Sequence, residues 1–579
     1  MDKTLSGRKR LAPEKLKEED KNSEISPFQV CIIGLPKYTT VQDVYKNAII
    51  PLLPSHEDAV VGVNKQANKN VAYVLFKSET NRKEFVTEFN KEPKRVKFHG
   101  VKLTTYVPKL LTTKEFIDLA SIIAKIKSAP RHKDLPMEVI ENQVLPWIDI
   151  PYKDQIARKV ETLKGNVERF FSEIKELQGG IMVKCPFEKM IESDPDKIGG
   201  YRNKVELSIG FNSNKEIDIG FIKGKIGALH IEIDSANNYP HIADEVKFVG
   251  QILLKIIKQY HESDGLNPFN RINAIRTCTV KEGNEFWRLL QVRQSYKTKE
   301  MMLTLVHTKN IISHELNEKI RNSLKAVFPL NGSIGEYKLV SLNVIQTEAS
   351  GGTDYEFDDV VEALYESAFY SEELLGYKFH VSPLSFLQVN TDICEKLYDY
   401  VRQLAASSVK SDVNNIILFD LYCGIGTIGI CMEKLALEIV GIELVPSAIE
   451  NAKYNAELNG LSAKTKYYCG KVEELISKIA SQYDKKPIIA IVDPPRGGLH
   501  KDVISKIRTC KGLDVLIYVS CNQQSLVRDA LLLCKPAKGK MSGPGFTATS
   551  YAGADLFPYT PHTECIMEFK RYYSGSICS

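Results

Sequence analysis

The chain has 579 residues, 43% of them apolar and 26% charged, with a formal net charge of +5. That length accommodates about three or four domains with full cores, and the near-even charge balance does not by itself mark a nucleic-acid binder, which needs its basic residues gathered on one face. The twelve cysteines are scattered with no C-x-x-C pair, which excludes the usual zinc and redox motifs and fits a reducing compartment.

No apolar run approaches the roughly eighteen residues of a membrane span, and the start of the chain lacks a signal peptide's apolar core. The expectation is a soluble protein of the cytoplasm, the nucleus or both. Residues 1–26 mix charges with few apolar side chains and are expected to be a disordered tail. Within them Gly7-Arg8-Lys9-Arg10 is a short basic cluster, readable as a nuclear signal or simply as solvated tail.

Residues 27–108 change character. Val30-Cys31-Ile32-Ile33 reads as a buried strand, followed by a helix over 40–52, a strand over 70–76, a helix over 79–89 and a strand over 101–106. Lys69-Asn70-Val71-Ala72-Tyr73-Val74-Leu75-Phe76 resembles the RNP1 octamer of RNA-recognition motifs, and Val30-Cys31-Ile32-Ile33-Gly34-Leu35 resembles RNP2. The resemblance implies a β-α-β-β-α-β domain of RRM type. Val71 and Cys31 stand where stacking aromatics are usual, which leaves Tyr73 and removes about 1–3 kcal/mol of base stacking at each lost position. The domain is thus expected to serve as a weak RNA surface or a protein-docking surface.

Residues 109–180 read as a helical linker: Val160, Leu163, Val167, Phe170, Phe171, Ile174 and Leu177 form one apolar stripe at helical spacing. Residues 181–374 read as a β-rich central domain. Val205–Phe211 and Ile217–Ile222 alternate after Tyr201-Arg202-Asn203-Lys204, and Trp287-Arg288, Val292-Arg293 and 302–306 continue the pattern. Arginine, lysine and aromatic residues mixed on strands suit an RNA-binding platform, or the ordinary solvated face of a sheet.

Residues 375–579 read as a doubly wound α/β domain. Ile416-Ile417-Leu418-Phe419 runs into Asp420-Leu421-Tyr422-Cys423-Gly424-Ile425-Gly426-Thr427-Ile428-Gly429, a glycine turn between strand and helix that lets a ligand approach the backbone. The next strand ends in Glu443, placed to hold a ribose. These features point to a nucleoside cofactor without choosing between a nicotinamide dinucleotide and S-adenosylmethionine. A further strand, 488–492, ends in Asp493-Pro494-Pro495-Arg496-Gly497-Gly498, a rigid loop resembling motif IV of class I methyltransferases. Enzymes of that class acting on exocyclic amines carry an aromatic residue where Arg496 stands, so attack at a ring carbon is expected. The strand Leu516-Ile517-Tyr518-Val519 ends in Ser520-Cys521-Asn522, where a thiol is either core filler or a nucleophile.

With His562-Thr563-Glu564 and Ser382-Pro383-Leu384-Ser385-Phe386-Leu387-Gln388-Val389-Asn390-Thr391, these motifs stand in the order found in RNA uracil-C5 methyltransferases, and the chain resembles that family most strongly over 375–579. The resemblance implies a class I Rossmann-like S-adenosylmethionine-dependent methyltransferase domain. By motif, Gln388, Tyr422, Glu443 and Asp493 would contact S-adenosylmethionine, with Thr427 a weaker candidate. Cys521 would be the nucleophile and Glu564 the base. The implied substrate is tRNA, above all a T-loop uridine of cytosolic tRNA. Only Cys185 lies in the stretch where bacterial ribosomal-RNA relatives bind an iron–sulfur cluster, so no cluster or other metal is expected.

The residue types suit the chemistry. Uracil C5 is a poor nucleophile until a thiolate adds at C6, and a base must then take the C5 proton so that the thiol leaves. The site is expected to lower the pKa of Cys521 to supply that thiolate. A dehydrogenase would account for the glycine turn and Glu443 but not for Asp493, Cys521 and Glu564. An RNA-folding chaperone with a methyltransferase fold leaves the same groups without a task, and RNA cytosine-C5 methylation ordinarily employs two cysteines near the base.

Overall fold

A computed structural model describes residues 29–33, 44, 60–65, 71–76, 78–91, 104–106, 144–177, 185–223, 231–270, 284–309, 311–348, 359–408, 415–483, 486–536 and 543–571. The expected tail with its basic cluster, most of the expected helix over 40–52 and the first part of the expected linker lie outside these residues. The chain divides into two compact units, residues 1–136 with 273–281, and residues 137–272 with 282–579.

The first unit contains an antiparallel sheet of β1 (Gln29–Ile33), β2 (Val60–Lys65), β3 (Val71–Phe76) and β4 (Thr104–Tyr106), in the order β2-β3-β1-β4. Helix α1 (Glu79–Lys91) buries Phe85 and Phe89 among Val30, Ile32, Ala72, Val74 and Phe76. β2 was not among the strands expected from the sequence, since Gly62 and Asn64 interrupt its apolar pattern.

In the second unit, helix α2 (Tyr152–Leu177) corrects the linker reading. Its stripe of Leu163, Val167, Phe170 and Ile174 is buried in the same cluster as Leu516, Tyr518, Met567 and Phe569 of the C-terminal sheet. The strand after it, β5 (Phe187–Ile191), pairs in parallel with a C-terminal strand at Tyr551–Ala554. Both elements therefore belong to the C-terminal domain, although the central domain follows them in the chain.

The central domain comprises β6 (Lys204–Phe211), β7 (Ile217–Lys223), β8 (Glu232–Ser235), β9 (Asn267–Pro268), β10 (Glu285–Gln294), β11 (Glu300–Thr308), β12 (Ser333–Ile334), β13 (Tyr337–Thr347) and β14 (Val361–Ala363). Its main path runs β12-β13-β11-β10-β6-β7-β8. Two helices that the alternation of neighbouring strands obscured, α3 (Asp244–Asp264) and α4 (His314–Val327), share the apolar core of this sheet. Two of the arginines expected on a basic platform face inward instead. Arg288 and Arg293 are wholly buried: the Arg288 guanidinium lies 3.7 Å from the centre of the Phe269 ring and donates to Thr308 Oγ1, and Arg293 donates to the carbonyls of Pro383 and Ser385. An arginine on a central strand is retained there because these acceptors replace water.

A hairpin, β15 (Tyr370–Leu374) and β16 (Tyr377–Val381), leads through residues 382–390 to α5 (Thr391–Ser408). Then follow β17 (Ile417–Leu421), α6 (Thr427–Cys431), β18 (Glu438–Glu443), α7 (Pro446–Leu458), β19 (Thr465–Cys469), α8 (Val472–Ala480), β20 (Ile488–Val492), α9 (Lys501–Thr509), β21 (Leu513–Ser520), α10 (Gln523–Cys534), β22 (Thr547–Ala554) and β23 (Glu564–Lys570). The sheet order is β19-β18-β17-β20-β21-β23-β22-β5, with β17 to β21 parallel and β23 antiparallel to both neighbours. β17 and β20 are buried at every position, as expected for parallel strands covered on both faces. The order reverses between β17 and β20, and such a switch leaves a crevice outside the carboxyl ends of the strands.

Candidate active site

The parallel register brings the expected cofactor residues to one edge. Leu421 is paired with both Ile442 and Val492, so Tyr422, Glu443 and Asp493 are the next residues of three adjacent strands at the same level. Tyr422 has φ 65°, a left-handed conformation costing a non-glycine residue on the order of 1 kcal/mol, and its amide donates to Ile442 O at 2.9 Å. Glu443 accepts from the Gly424 amide at 3.2 Å and from the Leu444 and Val445 amides at 2.7 and 3.0 Å. The beginning of the glycine turn is thereby tied to the carboxylate expected to hold a ribose.

Gly424 has φ 53°, and a Cβ there would meet nothing within 4 Å, so open space adjoins the turn. Gly426, at φ 83°, is crowded instead: a Cβ would lie 2.7 Å from the Tyr467 hydroxyl. Below the turn Asp420 is buried and accepts from the Gly429 amide at 2.8 Å, so its carboxylate holds the turn itself. Thr427 is also buried, and its hydroxyl lies 3.1 Å from that of Tyr398, beneath the turn.

Gln388 reaches the same edge from residues 382–390. Its Nε2 donates to Asp493 Oδ2 at 3.3 Å. Burial raises the Asp493 carboxyl to about 7, partly countered by that hydrogen bond. Two residues earlier, Phe386 presents a ring 67% exposed, an apolar surface on the same loop to which the sequence reading gave no role.

On the other side of Asp493, β21 and β23 run antiparallel with Ser520 opposite Cys565, which sets Cys521 beside Glu564. Cys521 is half-buried, whereas Glu564 is 1% exposed and its Oε2 is buried without a hydrogen-bond partner. The expectation of a lowered thiol pKa is overturned. Burial first, then the negative charges of Glu564 and Asp493, push the Cys521 thiol up to about 11, with Arg496 opposing them. The Glu564 carboxyl is raised well above the usual carboxylate range by burial and by Asp493, again opposed by Arg496. All three acidic groups hold their protons more tightly, Asp493 through burial and Cys521 and Glu564 through burial and neighbouring negative charge.

The loops that follow β20 and β21 are fastened together. Asn522 Nδ2 donates to the Arg496 carbonyl at 3.0 Å while its Oδ1 caps α10 at the Gln524 amide. Arg528 Nη2 donates to the Gly497 carbonyl at 2.8 Å, and the buried Asp529 accepts from the Leu499 amide at 2.6 Å and the Tyr518 hydroxyl at 2.9 Å. At the other flank Lys159 and Asp555 form a buried ion pair at 2.5 Å, with Lys159 also donating to the Phe557 carbonyl at 3.0 Å. That pair ties α2 to the segment that leads into Glu564.

Among the described residues no cluster of three or more His, Cys, Asp or Glu is placed to hold a metal, and no helix is long and apolar enough to cross a membrane.

Comparison with known proteins gives a family match: the tRNA (Uracil-5-)-methyltransferase model covers residues 295–572. The chain is 28% identical over 469 residues to the human tRNA (uracil-5-)-methyltransferase homolog A, covering 78% of this chain and 71% of that protein. It is 32% identical over 377 residues to an uncharacterized RNA methyltransferase of Caldanaerobacter subterraneus, covering 65% of this chain and 73% of the relative. Among solved structures, the tRNA (uracil-54, C5)-methyltransferase of Pyrococcus abyssi with S-adenosyl-L-homocysteine is 22% identical, covers 72% of this chain and 83% of that one, and has a TM-score of 0.48.

Proposed function

This chain belongs to the tRNA (uracil-5-)-methyltransferase family, and from that premise we propose that it methylates C5 of uridine in tRNA, with a T-loop uridine of cytosolic tRNA as its target. The observation that carries the reading is the register between β21 and β23, which sets a thiol beside a buried, unpartnered carboxylate one strand from Asp493. Few reactions call for that trio beside a glycine turn.

The pocket edge fits S-adenosylmethionine. Open space beside Gly424, the carboxylate of Glu443 for ribose hydroxyls, and the Gln388–Asp493 pair match a nucleoside that carries a charged amino-acid tail. When bound, it supplies the methyl group that C5 takes. Cys521 Sγ, once deprotonated, bonds to C6 of a uridine lifted from its stack, and the ring electrons shift so that C5 becomes nucleophilic. After methylation Glu564 takes the C5 proton and the C6–S bond breaks, returning the thiolate. Glu564 must be anionic to take that proton, and Arg496 opposes the burial that holds its carboxyl protonated. Arg496 favours the anionic forms of both Cys521 and Glu564. The thiol gives up its proton to solvent before it attacks, with Arg496 favouring the thiolate.

The N-terminal sheet serves as an RRM-like accessory module. Its β2-β3-β1-β4 order supports that assignment, and the residues at the usual stacking positions favour weak RNA contact or protein docking.

Purified protein incubated with tRNA transcript and S-adenosylmethionine tests the proposal by nucleoside mass spectrometry. 5-Methyluridine is expected from the wild type, neither product nor adduct from Cys521→Ala, and a denaturant-stable RNA–protein adduct from Glu564→Gln. Methylation by Cys521→Ala at the wild-type rate would refute it.

A further inference from the structure

We propose that Asn203, on the central domain, is a positioning residue that sets Gln388 for cofactor binding. The inference rests on the reading of Gln388 as an S-adenosylmethionine contact.

Residues 382–390 contain no strand or helix, so something other than a hydrogen-bond ladder must fix the Gln388 backbone. Asn203 does so with both of its donors. Its Nδ2 donates to the Gln388 carbonyl at 2.9 Å and its backbone amide donates to the Val389 carbonyl at 2.9 Å. Two successive carbonyls are held by one residue, which fixes the two peptide planes that follow Gln388. The same Nδ2 donates to Thr391 Oγ1 at 2.9 Å, extending the hold to the first residue of α5. Asn203 is itself anchored, because its carbonyl accepts from the Gln294 amide at the end of β10.

The side chain has one workable orientation. Turned over, its oxygen would face the Gln388 carbonyl, acceptor against acceptor. In the orientation seen, Oδ1 is buried without a partner, a cost accepted for the sake of the two bonds that Nδ2 makes. Asn203 is 1% exposed. Its influence passes through Gln388, whose 3.3 Å bond to Asp493 lies at the long end of the hydrogen-bond range. A displacement of a few tenths of an ångström breaks such a bond. Its loss would also raise the Asp493 carboxyl further, since Gln388 is the group that lowers it.

The test compares wild type, Asn203→Ala, Gln388→Ala and the double variant in the full chain. S-Adenosylmethionine affinity is read by calorimetry, and kcat and KM are measured with tRNA transcript. For Asn203→Ala, Kd and KM for S-adenosylmethionine are expected to rise about tenfold, with kcat at saturation within about threefold of wild type. The double variant is expected to bind no more weakly than Gln388→Ala alone, because the second change acts through a group already removed. An unchanged Kd, additive losses in the double variant, or a fall in kcat at constant KM would each overturn the proposal. If Asn203→Ala fails to fold, Asn203→Asp fills the same volume while turning the donor into an acceptor, and the same outcomes decide. Should wild type itself not bind S-adenosylmethionine, the reading of the site falls and the role of Asn203 with it. Should wild type bind, Gln388→Ala bind more weakly and Asn203→Ala match wild type, only the role of Asn203 falls.

Discussion

The raised pKa of Cys521 leads to a measurable reactivity. With its thiol at about 11, roughly one molecule in a thousand carries the thiolate at pH 8, against about one in ten for a thiol near 9. The rarer thiolate is more basic and so more nucleophilic, which recovers slightly under a factor of ten over two pKa units. Iodoacetamide should therefore modify Cys521 about tenfold more slowly at pH 8 than an ordinary accessible thiol, with the exposed Cys469 as the internal reference. The pH profile separates chemistry from access: a merely shielded cysteine would be slow at every pH, whereas Cys521 should gain about tenfold per pH unit until near 11. Peptide mass spectrometry of both cysteines across pH 7–10 measures this. Because Arg496 favours the thiolate and is exposed, Arg496→Ala should slow modification a further two- to threefold or so at low salt. A rate for Cys521 that equals that of Cys469 at pH 8 and levels off below pH 9 would refute the burial argument.

Other consequences are open to direct measurement. Lys159→Ala leaves Asp555 charged and buried, so it should destabilise the second unit by about 3–5 kcal/mol in urea unfolding, whereas replacing both residues with apolar ones should cost much less. Gly498→Ala should lower activity and stability together: φ there is 72°, and a Cβ would lie 2.5 Å from Asp529 Oδ2 and 2.6 Å from Arg528 Nη2, the groups that fasten the Asp493 loop. Burial raises Glu372 to about 7, so the folded state binds its proton more tightly than the unfolded state. The stability this contributes is complete below about pH 4.5 and is lost as pH rises towards 7. Glu372→Gln should flatten that decline in a pH series of unfolding midpoints, and an unchanged slope would contradict the assignment.

Two of the site positions were legible because each follows a run of buried strand, whereas Glu564 opens β23 and was read from the motif resemblance. Ile488–Val492 leads into Asp493 and Leu513–Ser520 into Cys521, a strand-end position that marks ligand sites in doubly wound sheets. What escaped depends on distance through space. The Cys521 thiol shift sums charges from β20 and β23 with burial, and no local window contains them. Asn203 stands 185 residues before Gln388, so its hydrogen bonds left no periodic trace. Arg288 and Arg293 read as solvated because charges on strands usually are, and only their acceptors on distant segments reverse that. Helix α3 did leave a signal: Val246, Val249, Leu253, Ile256, Ile257 and Tyr260 recur at helical spacing before Gly265. The alternation of the flanking strands drew attention from it.

The membership of α2 in the C-terminal sheet has a consequence for biosynthesis. Asn166 on α2 bonds Gln523 on α10 across 357 residues, an interval that takes a ribosome about 20–70 s at ordinary elongation rates. Throughout that time Leu163, Val167, Phe170 and Ile174 emerge with no sheet to cover them. Until residues 513–570 arrive, this greasy helix is the kind of transiently exposed apolar surface that chaperones bind. Translation speed through the central domain thus becomes a determinant of yield, and a gene fragment beginning at residue 375 would encode a sheet lacking both its edge strand and the helix that roofs it.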